Sequence, residues 1–397
     1  MDRSPPTVPP SESTAGADTC APESLRVAHL DADAFYVAVE LLRHPELRGR
    51  PVVVAGSGPR AVVTTASYEA RRYGVGSAMP AARARRLCPE AVFLPPDFTT
   101  YRETSAKLMA IVRSHVERVD VVGLDEAYLD VQGLLSPRAA MRRLVVEINR
   151  SLQLTCSVGI GPNKLVAKVA SDADKPAGFV VLTRAQACAR FALSPPGIVP
   201  GIGPKTSQRL SRLGLNTLGD LANAPEGLLT ANFGPNHGHD LIRRARFEGG
   251  GEIGTPHKVA SESRERTFDE DLLDAGRMRG ALQRMSTELC ESLARHGRSG
   301  RTIGIKVRLD NFTTVTRART LREPTCDAQL VAQVALRLLD EYAPPRPVRL
   351  LGVRVAGLGP NARAGAGEDT EGGAARNDAD EGVPSAGAAG GQLGLPV

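Results

Sequence analysis

Tryptophan is absent from this chain of 397 residues, and aromatic residues make up only 4% of it. So few rings argue against a surface that grips nucleic acid by stacking bases on aromatics. Cysteine is scarce as well. Cys20, Cys88, Cys156, Cys188, Cys290 and Cys326 are widely scattered and form no C-x-x-C pair. That argues against a zinc site and fits free thiols in a reducing cytosol, so a cytoplasmic location is expected. No apolar run approaches the roughly 18 residues of a membrane-spanning helix, and no membrane association is expected. Residues 1–24 carry several prolines and no apolar core, which reads as a disordered leader rather than a signal peptide.

What is present is an ordinary apolar fraction of 42% and an excess of positive charge, +6 overall. The charge is unevenly spread. Beyond Pro360 six acids face two bases, so the preceding residues carry about +10. That balance suits a nucleic-acid binder, and equally a generic basic enzyme rich in arginine.

Apolar, β-branched runs predict strands at 26–30, 51–55 and 61–65. A helix over 99–116 leads into a hairpin, 119–122 and 124–131, with Gly123 near its turn. A helix over 139–152, a strand over 156–160 and a helix from about Asn163 follow. That order is a split β-α-β sheet with helices on one face. Beyond Pro195-Pro196 come helical pieces cut by glycine and proline. Gly249-Gly250-Gly251 then reads as a flexible hinge. Strands at 259–268, 302–309, 313–320 and 349–355, with helices at 274–295 and 328–339, predict a second small α+β domain. From 359 onward the composition predicts disorder.

Three acids draw attention. Asp31 stands where an apolar strand stops, and Asp125 and Glu126 adjoin the hairpin turn. Adjacent residues of a strict strand point to opposite faces, so both could reach one site only near a bend. Acids on apolar strands are costly unless compensated, and a divalent cation compensates them well. Carboxylate oxygens suit Mg²⁺, which shares its shell with waters and phosphates. Solvated strand ends or helix caps are the plainer reading of each acid taken singly. Tyr68 and Arg71, three apart on one predicted helix face, offer a phenol and a guanidinium to phosphate oxygens. Lys175 adds a compact positive charge.

The phrases LDADAFYVAVE, YEARRYGVGSAMP, LDEAYLD, VGIGPNKLVAKVASDADKPAG, VPGIGPKT and NFTTVTRARTL occur in that order. With them the chain resembles the Y-family DNA polymerases from about Arg26 to Gly357. The resemblance implies an α+β, multidomain, right-hand polymerase. It would have a ferredoxin-like palm (25–34 and 97–182), small fingers (35–96), a helix-hairpin-helix thumb (183–250) and an α+β little finger (251–358). Residues 359–397 would be a disordered tail. It further implies two Mg²⁺ per site, with Mn²⁺ as a substitute, held by Asp31, Asp125, Glu126 and the carbonyl of Ala32. Thr65, Tyr68, Arg71 and Lys175 would bind the incoming triphosphate, and Tyr36 would be the steric gate against a 2′-hydroxyl, with Phe35 left to the core. Expected partners are primer-template DNA and dNTPs, and the protein is expected to be a monomer. Gly123 replaces the serine most often found before LDE, and Ala32 and Ala34 replace bulkier residues. None of these departures removes a metal ligand. A non-catalytic DNA-binding accessory would lack the metal acids, a lone helix-hairpin-helix module leaves the first 180 or so residues unexplained, and a nucleotide cyclase has no use for a thumb.

Gly201, Gly203 and Lys205 lie in a turn resembling a helix-hairpin-helix, whose backbone N–H groups approach a phosphate. In the second domain Ile303, Ile305 and Val307 alternate with Lys306 and Arg308. Arg317 and Arg319 share a face, as do Arg264 and Arg266. A basic sheet face tracking phosphates is expected, with sequence-independent, salt-sensitive binding. The closing Gln392-Leu393-Gly394-Leu395-Pro396-Val397 resembles a peptide for a sliding clamp, a further expected partner. In it Pro396 stands where an aromatic is usual.

Overall fold

The computed structural model describes residues 24–255 and 259–361. Residues 1–23 of the expected leader, most of the expected tail and the 392–397 peptide lie outside them. Among the described residues no helix is long and apolar enough to cross a membrane, and Cys88, Cys156, Cys188, Cys290 and Cys326 are free thiols.

Strand β1 (Val27–Ala32) is buried along its whole length. Its side chains alternate between two partners: Ala28, Leu30 and Ala32 join one core cluster, and Val27 packs with Ala167 on the other side. Burying Leu30 contributes about 2 kcal/mol. The chain then leaves the palm through Ala34, whose φ of 47° is left-handed, a conformation costing a non-glycine residue roughly 1–2 kcal/mol. Helix α1 (Phe35–Arg43) follows, then β2 (Val52–Ala55), β3 (Val63–Ala66), α2 (Tyr68–Arg71), α3 (Ala81–Leu87) and β4 (Val92–Leu94). These strands form a small sheet in the order β3-β2-β4. Three consecutive valines let β2 bury both faces: Val53 packs with Ala70 and Ala84, while Val52 and Val54 pack against Val37 and Leu47.

The chain returns through α4 (Phe98–His115), capped by Asp97, which accepts the Thr100 amide at 3.2 Å. Then come β5 (Val119–Val121), β6 (Glu126–Asp130), α5 (Pro137–Leu152), β7 (Cys156–Gly161), α6 (Lys164–Ala173) and β8 (Phe179–Val181). The five strands run β5-β6-β1-β7-β8, with β1 antiparallel to both β6 and β7. The helices are not all on one face, contrary to the sequence-based expectation. α4 and α5 cover the Ala28 side, with Leu108, Met141, Leu144 and Ile148 in the core there. α6 lies on the opposite face, where a Cβ at Gly159 would meet the Ala167 carbonyl at 2.0 Å and one at Gly161 the Val166 side chain at 2.5 Å. The absence of side chains at these two positions lets the α6 backbone settle on β7.

The thumb is α7 (Arg184–Phe191), α8 (Pro204–Arg212), α9 (Leu218–Ala222), α10 (Glu226–Phe233) and α11 (Pro235–Ala245). Gly249 and Gly250 take φ of 102° and 105°. The chain just beyond them is pinned to the palm rather than loose. Lys164 Nζ donates to the Glu252 carbonyl (3.0 Å), Asp120 accepts the Gly254 amide (2.7 Å), and Ile253 is buried beside Val27.

The little finger has β9 (Ser261–Leu272), α12 (Ala275–Arg295), β10 (Arg298–Leu309), β11 (Thr314–Thr325), α13 (Ala328–Tyr342), β12 (Val348–Ala356) and a two-residue strand β13 (Gly359–Pro360). Its sheet order is β11-β10-β12-β9, and α12 and α13 cover one face. Pairing of β13 with Arg298 and Ser299 extends the ordered chain past 359, where the composition pointed to disorder. Arg60 Nη1 ties the fingers to this domain, donating to the Phe268 carbonyl (2.8 Å) and to Asp271 Oδ1 (2.7 Å).

Candidate active site

The register of the palm places Asp31 directly opposite Glu126. Residues facing each other on adjacent strands share a face, so both carboxylates lie on the α6 side of the sheet. Asp125 precedes the first paired residue of β6, in the turn closed by the Val122 and Gly123 amides bonding to the Glu126 carbonyl. This is the bend that lets neighbouring acids serve one region. The Ala32 amide donates to the Asp125 carbonyl at 2.8 Å and locks the turn against the end of β1.

Helix α6 delivers Lys168 between the acids. Its Nζ lies 2.8 Å from Glu126 Oε2 and 3.2 Å from Asp31 Oδ2. Lys175 Nζ reaches the same Asp31 oxygen at 2.7 Å and Asp172 at 2.8 Å. Burial alone would depress the Lys168 ammonium, but Asp31, Glu126 and Asp172 raise it above its ordinary value. His29, fully buried, places Nε2 3.3 Å from Glu126 Oε2 and Nδ1 2.8 Å from Ser171 Oγ. His29 and Lys168 hold the Glu126 carboxyl down at about 2. Asp125 goes the other way: burial, then the charges of Asp31 and Glu126, push it up to about 6.

Asp31, Asp125 and Glu126, with the carbonyl of Ala32, were expected to hold two ions whose shells waters and substrate phosphates complete. Among the described residues no group of three or more His, Cys, Asp or Glu side chains is by itself arranged to hold an ion. Two of the carboxylates close instead on Lys168, because an ammonium is the positive charge α6 can bring to that face. The donor set nevertheless suits a hard divalent cation. Asp125 is a partly buried carboxyl with no ion pair to it among the described residues, beside two further acids, and a nearby cation would relieve that charge.

Around the acids stand the other expected residues. Tyr36, in the first turn of α1, is half-buried and stacks on Tyr101 (centroids 4.5 Å apart), with Phe98 edge-on at 5.9 Å. Burial and the Asp125 charge raise its pKa, which places the phenol beside the acids. Phe35 is core. Thr65 is buried on β3. The Arg71 guanidinium lies 4.6 Å from the centre of the Tyr68 ring, and its Nε donates to the Ala66 carbonyl at 2.9 Å. The Tyr68 hydroxyl was expected to serve a triphosphate; here it donates to Asp33 Oδ1 at 3.2 Å. A phenol has a single proton, so it cannot donate to both at once.

Sequence reasoning missed His29, Asp33, Ser157 and Lys168. A signal existed for Lys168: Leu165, Val166, Ala167, Val169 and Ala170 around it are all buried, and a lysine in such a helix needs a carboxylate partner.

In the thumb, Gly203 caps α8 and Gly201 has a φ of 89°, with Arg244 against it donating to the Pro200 carbonyl at 2.8 Å. Lys205 is exposed at the start of α8. In the little finger the bases do not share one face. Lys306 and Arg308 pair across to Thr316 and Thr314 on the face away from the helices, where Arg354, unnoticed in the sequence, is also exposed. Glu265 interleaves there, 2.8 Å from Lys306. Arg317 and Arg319 pair with Ile305 and Ile303, and Arg264 and Arg266 with Val353 and Leu351, which puts all four on the helix-covered side. There Arg319 meets Glu341 of α13 at 2.7 Å, Arg317 lies over the Tyr342 ring, and Arg264 is 3.3 Å from Glu262.

Comparison with known proteins matches residues 30–172 to the impB/mucB/samB family, 259–367 to the C-terminal domain of that family, and 198–246 to the thumb domain of DNA polymerase iota. The chain is 41% identical over 340 residues to DNA polymerase IV of Xanthomonas campestris, covering 84% of this chain and 94% of that protein. It is 40% identical over 338 residues to DNA polymerase IV of Streptomyces coelicolor, covering 84% and 71%. A solved Y-family DNA polymerase chimera superposes with a TM-score of 0.73 at 25% identity, covering 83% of this chain and 98% of that one.

Proposed function

The chain belongs to the Y-family of DNA polymerases, and from that premise we propose that it extends primers across damaged templates with low fidelity, by two-metal phosphoryl transfer and without proofreading, in DNA repair and damage tolerance. It is a DNA-directed DNA polymerase, its substrates are primer-template DNA and dNTPs, and polymerases of this family use divalent metal ions.

Asp31, Asp125, Glu126 and the carbonyl of Ala32 would hold the ions, Mg²⁺ with Mn²⁺ as a substitute. Bound there, they would activate the primer 3′-hydroxyl and neutralise charge on the transferring phosphate. His29 and Lys168 keep Glu126 ionised for that task. Arg71 and Lys175 take the triphosphate charge, with Thr65 and Tyr68 beside them. Tyr36, held by Tyr101 and Phe98, would lie flat beneath the sugar and clash with a 2′-hydroxyl. Gly201, Gly203 and Lys205 meet one stretch of DNA backbone, and the helix-free sheet face with Lys306 and Arg308 meets another. Clamp binding through Gln392, Leu393 and Leu395 belongs to the same reading.

One observation carries the two-metal part: Asp31 faces Glu126 across β1 and β6, with the partly buried Asp125 in the adjoining turn, three acids at one end of the sheet. Primer extension with Mg²⁺ and dNTPs tests it. Asp125→Asn should lower the rate about a thousandfold or more, since a metal supplies several kcal/mol to such a step. Undiminished extension would sink it.

A further inference from the structure

Asp31 and Glu126 are each held by one oxygen. Lys168 and Lys175 both reach Asp31 at Oδ2, and Lys168 reaches Glu126 at Oε2. His29 Nε2 stands 3.3 Å from that same Oε2. Among the described residues Asp31 Oδ1 and Glu126 Oε1 take part in no hydrogen bond or ion pair. One oxygen of each carboxylate is therefore left for an ion.

His29 lies in the middle of β1 on the face under α6, opposite Tyr128 of β6 and Gly159 of β7. It is fully buried, with the Tyr128 ring edge-on at a centroid distance of 4.7 Å. Lys168 and Ser171, three apart on α6, share one face of that helix. Ser171 Oγ is 2.8 Å from His29 Nδ1 and 2.8 Å from the Lys168 carbonyl. A hydroxyl has one proton to give. Given to the Lys168 carbonyl, it leaves Ser171 to accept from Nδ1–H, and a neutral ring then turns a bare Nε2 lone pair on the Glu126 carboxylate. Given to Nδ1, it keeps the ring proton on Nε2, where Oε2 can accept it. Nε2 is buried without a hydrogen bond of good geometry, and the Glu126 carboxylate is the partner within reach. A ring nitrogen so enclosed is costly unless it is satisfied.

We propose that His29 is a positioning residue for the metal site: its Nε2–H, kept in place by Ser171, grips Glu126 at Oε2 beside Lys168 and so leaves Oε1 to an ion. The grip needs a proton on Nε2 whatever the charge of the ring. One strand then supplies both a metal ligand, Asp31, and, two residues earlier, the support of another. Helix α6 completes the arrangement with Lys168 and Ser171. The inference rests on the reading that Glu126 holds a divalent ion.

The test is Mn²⁺ binding by the full chain on primer-template ended in a dideoxynucleotide, with unbound Mn²⁺ read by electron paramagnetic resonance and a melting curve for each variant. His29→Phe keeps a buried ring and removes the donor. It should weaken Mn²⁺ binding about tenfold or more, the scale of losing the partner of a metal ligand. His29→Gln, which can return an N–H to the place of Nε2, should recover most of that loss. Ser171→Ala should weaken binding about fivefold, the scale of one neutral hydrogen bond. Nitrogen NMR spectra, with the His29 signals identified by their absence in His29→Gln, should show the proton on Nε2. Unchanged Mn²⁺ affinity in His29→Phe, a His29→Gln no better than His29→Phe, or a neutral ring with its proton on Nδ1 would each overturn the proposal. So would a lower melting temperature with Mn²⁺ affinity unaltered. If His29→Phe does not fold, Ser171→Ala and the nitrogen spectra decide: full affinity in Ser171→Ala, or a proton on Nδ1 alone, refutes the grip. Glu126→Gln separates this inference from the reading beneath it. Full Mn²⁺ affinity in that variant would remove Glu126 from the metal site, and His29 with it, whereas a loss there without one in His29→Phe refutes the positioning role alone.

Discussion

Asp125→Asn should make the metal-free protein more stable while it destroys activity. The folded protein raises this carboxyl from the ordinary 3.8 to about 6, so ionising it in the folded state costs about 3 kcal/mol more than in the unfolded chain. The sign follows from proton counts. Between about pH 4 and 6 the folded state holds a proton that the unfolded state has lost, so stability falls as pH rises through that window and levels off above it. Asparagine has the same shape and no charge. Its amide still needs partners, so the gain at pH 7.5 should be about 1–3 kcal/mol. Urea denaturation of the full chain in a chelating buffer, followed by circular dichroism, measures it. The gap between the variant and the parent should close towards pH 4, and millimolar Mg²⁺ should stabilise the parent more than the variant. A variant that is less stable than the parent at pH 7.5, or a gap that does not shrink in acid, would refute the electrostatic account of Asp125. Glu126 works in the opposite sense. Held at about 2, it contributes stability present above its ordinary 4.5 and lost as pH falls towards 2, so only the difference between the two proteins isolates Asp125.

Tyr36→Ala should admit ribonucleotides, read as a fall of at least about tenfold in the preference for dNTP over NTP; unchanged sugar discrimination would remove the gate assignment. Lys306→Ala with Arg308→Ala should weaken DNA binding for all sequences and reduce the slope of log affinity against log salt by about 1–2. Arg317→Ala with Arg319→Ala, on the helix side, should change that slope less, and the reverse order would place DNA on the other face. Deleting 392–397 should abolish stimulation of synthesis by the sliding clamp while leaving synthesis without the clamp intact, and retained stimulation would dismiss the peptide.

Much of the palm was readable because its strands are apolar runs that stop at charged residues. Val27–Ala32 and Glu126–Asp130 lie within a residue or two of where hydrophobicity and turn chemistry placed them. The little-finger helices were equally plain, since their apolar residues recur at helical spacing. Lys168 and His29 escaped notice because a lysine or histidine in a buried element is explained only by what faces it across the fold. The little-finger arginines were misplaced for a related reason. Alternation shows which residues of one strand share a face, while the face itself depends on register with the next strand, and a shift of one residue reverses it.

From the order of its residues alone, this protein's acids, its glycine-bearing turns, its apolar periodicities and its family likeness were all determined, because each is a property of neighbours in the chain. Tertiary structure alone decided that Lys168 would stand between Asp31 and Glu126, that His29 would reach both Ser171 and Glu126, and that α6 would lie on the bare glycines of β7. Those outcomes depend on packing distances between segments far apart in sequence, and local preference carries no measure of such distances.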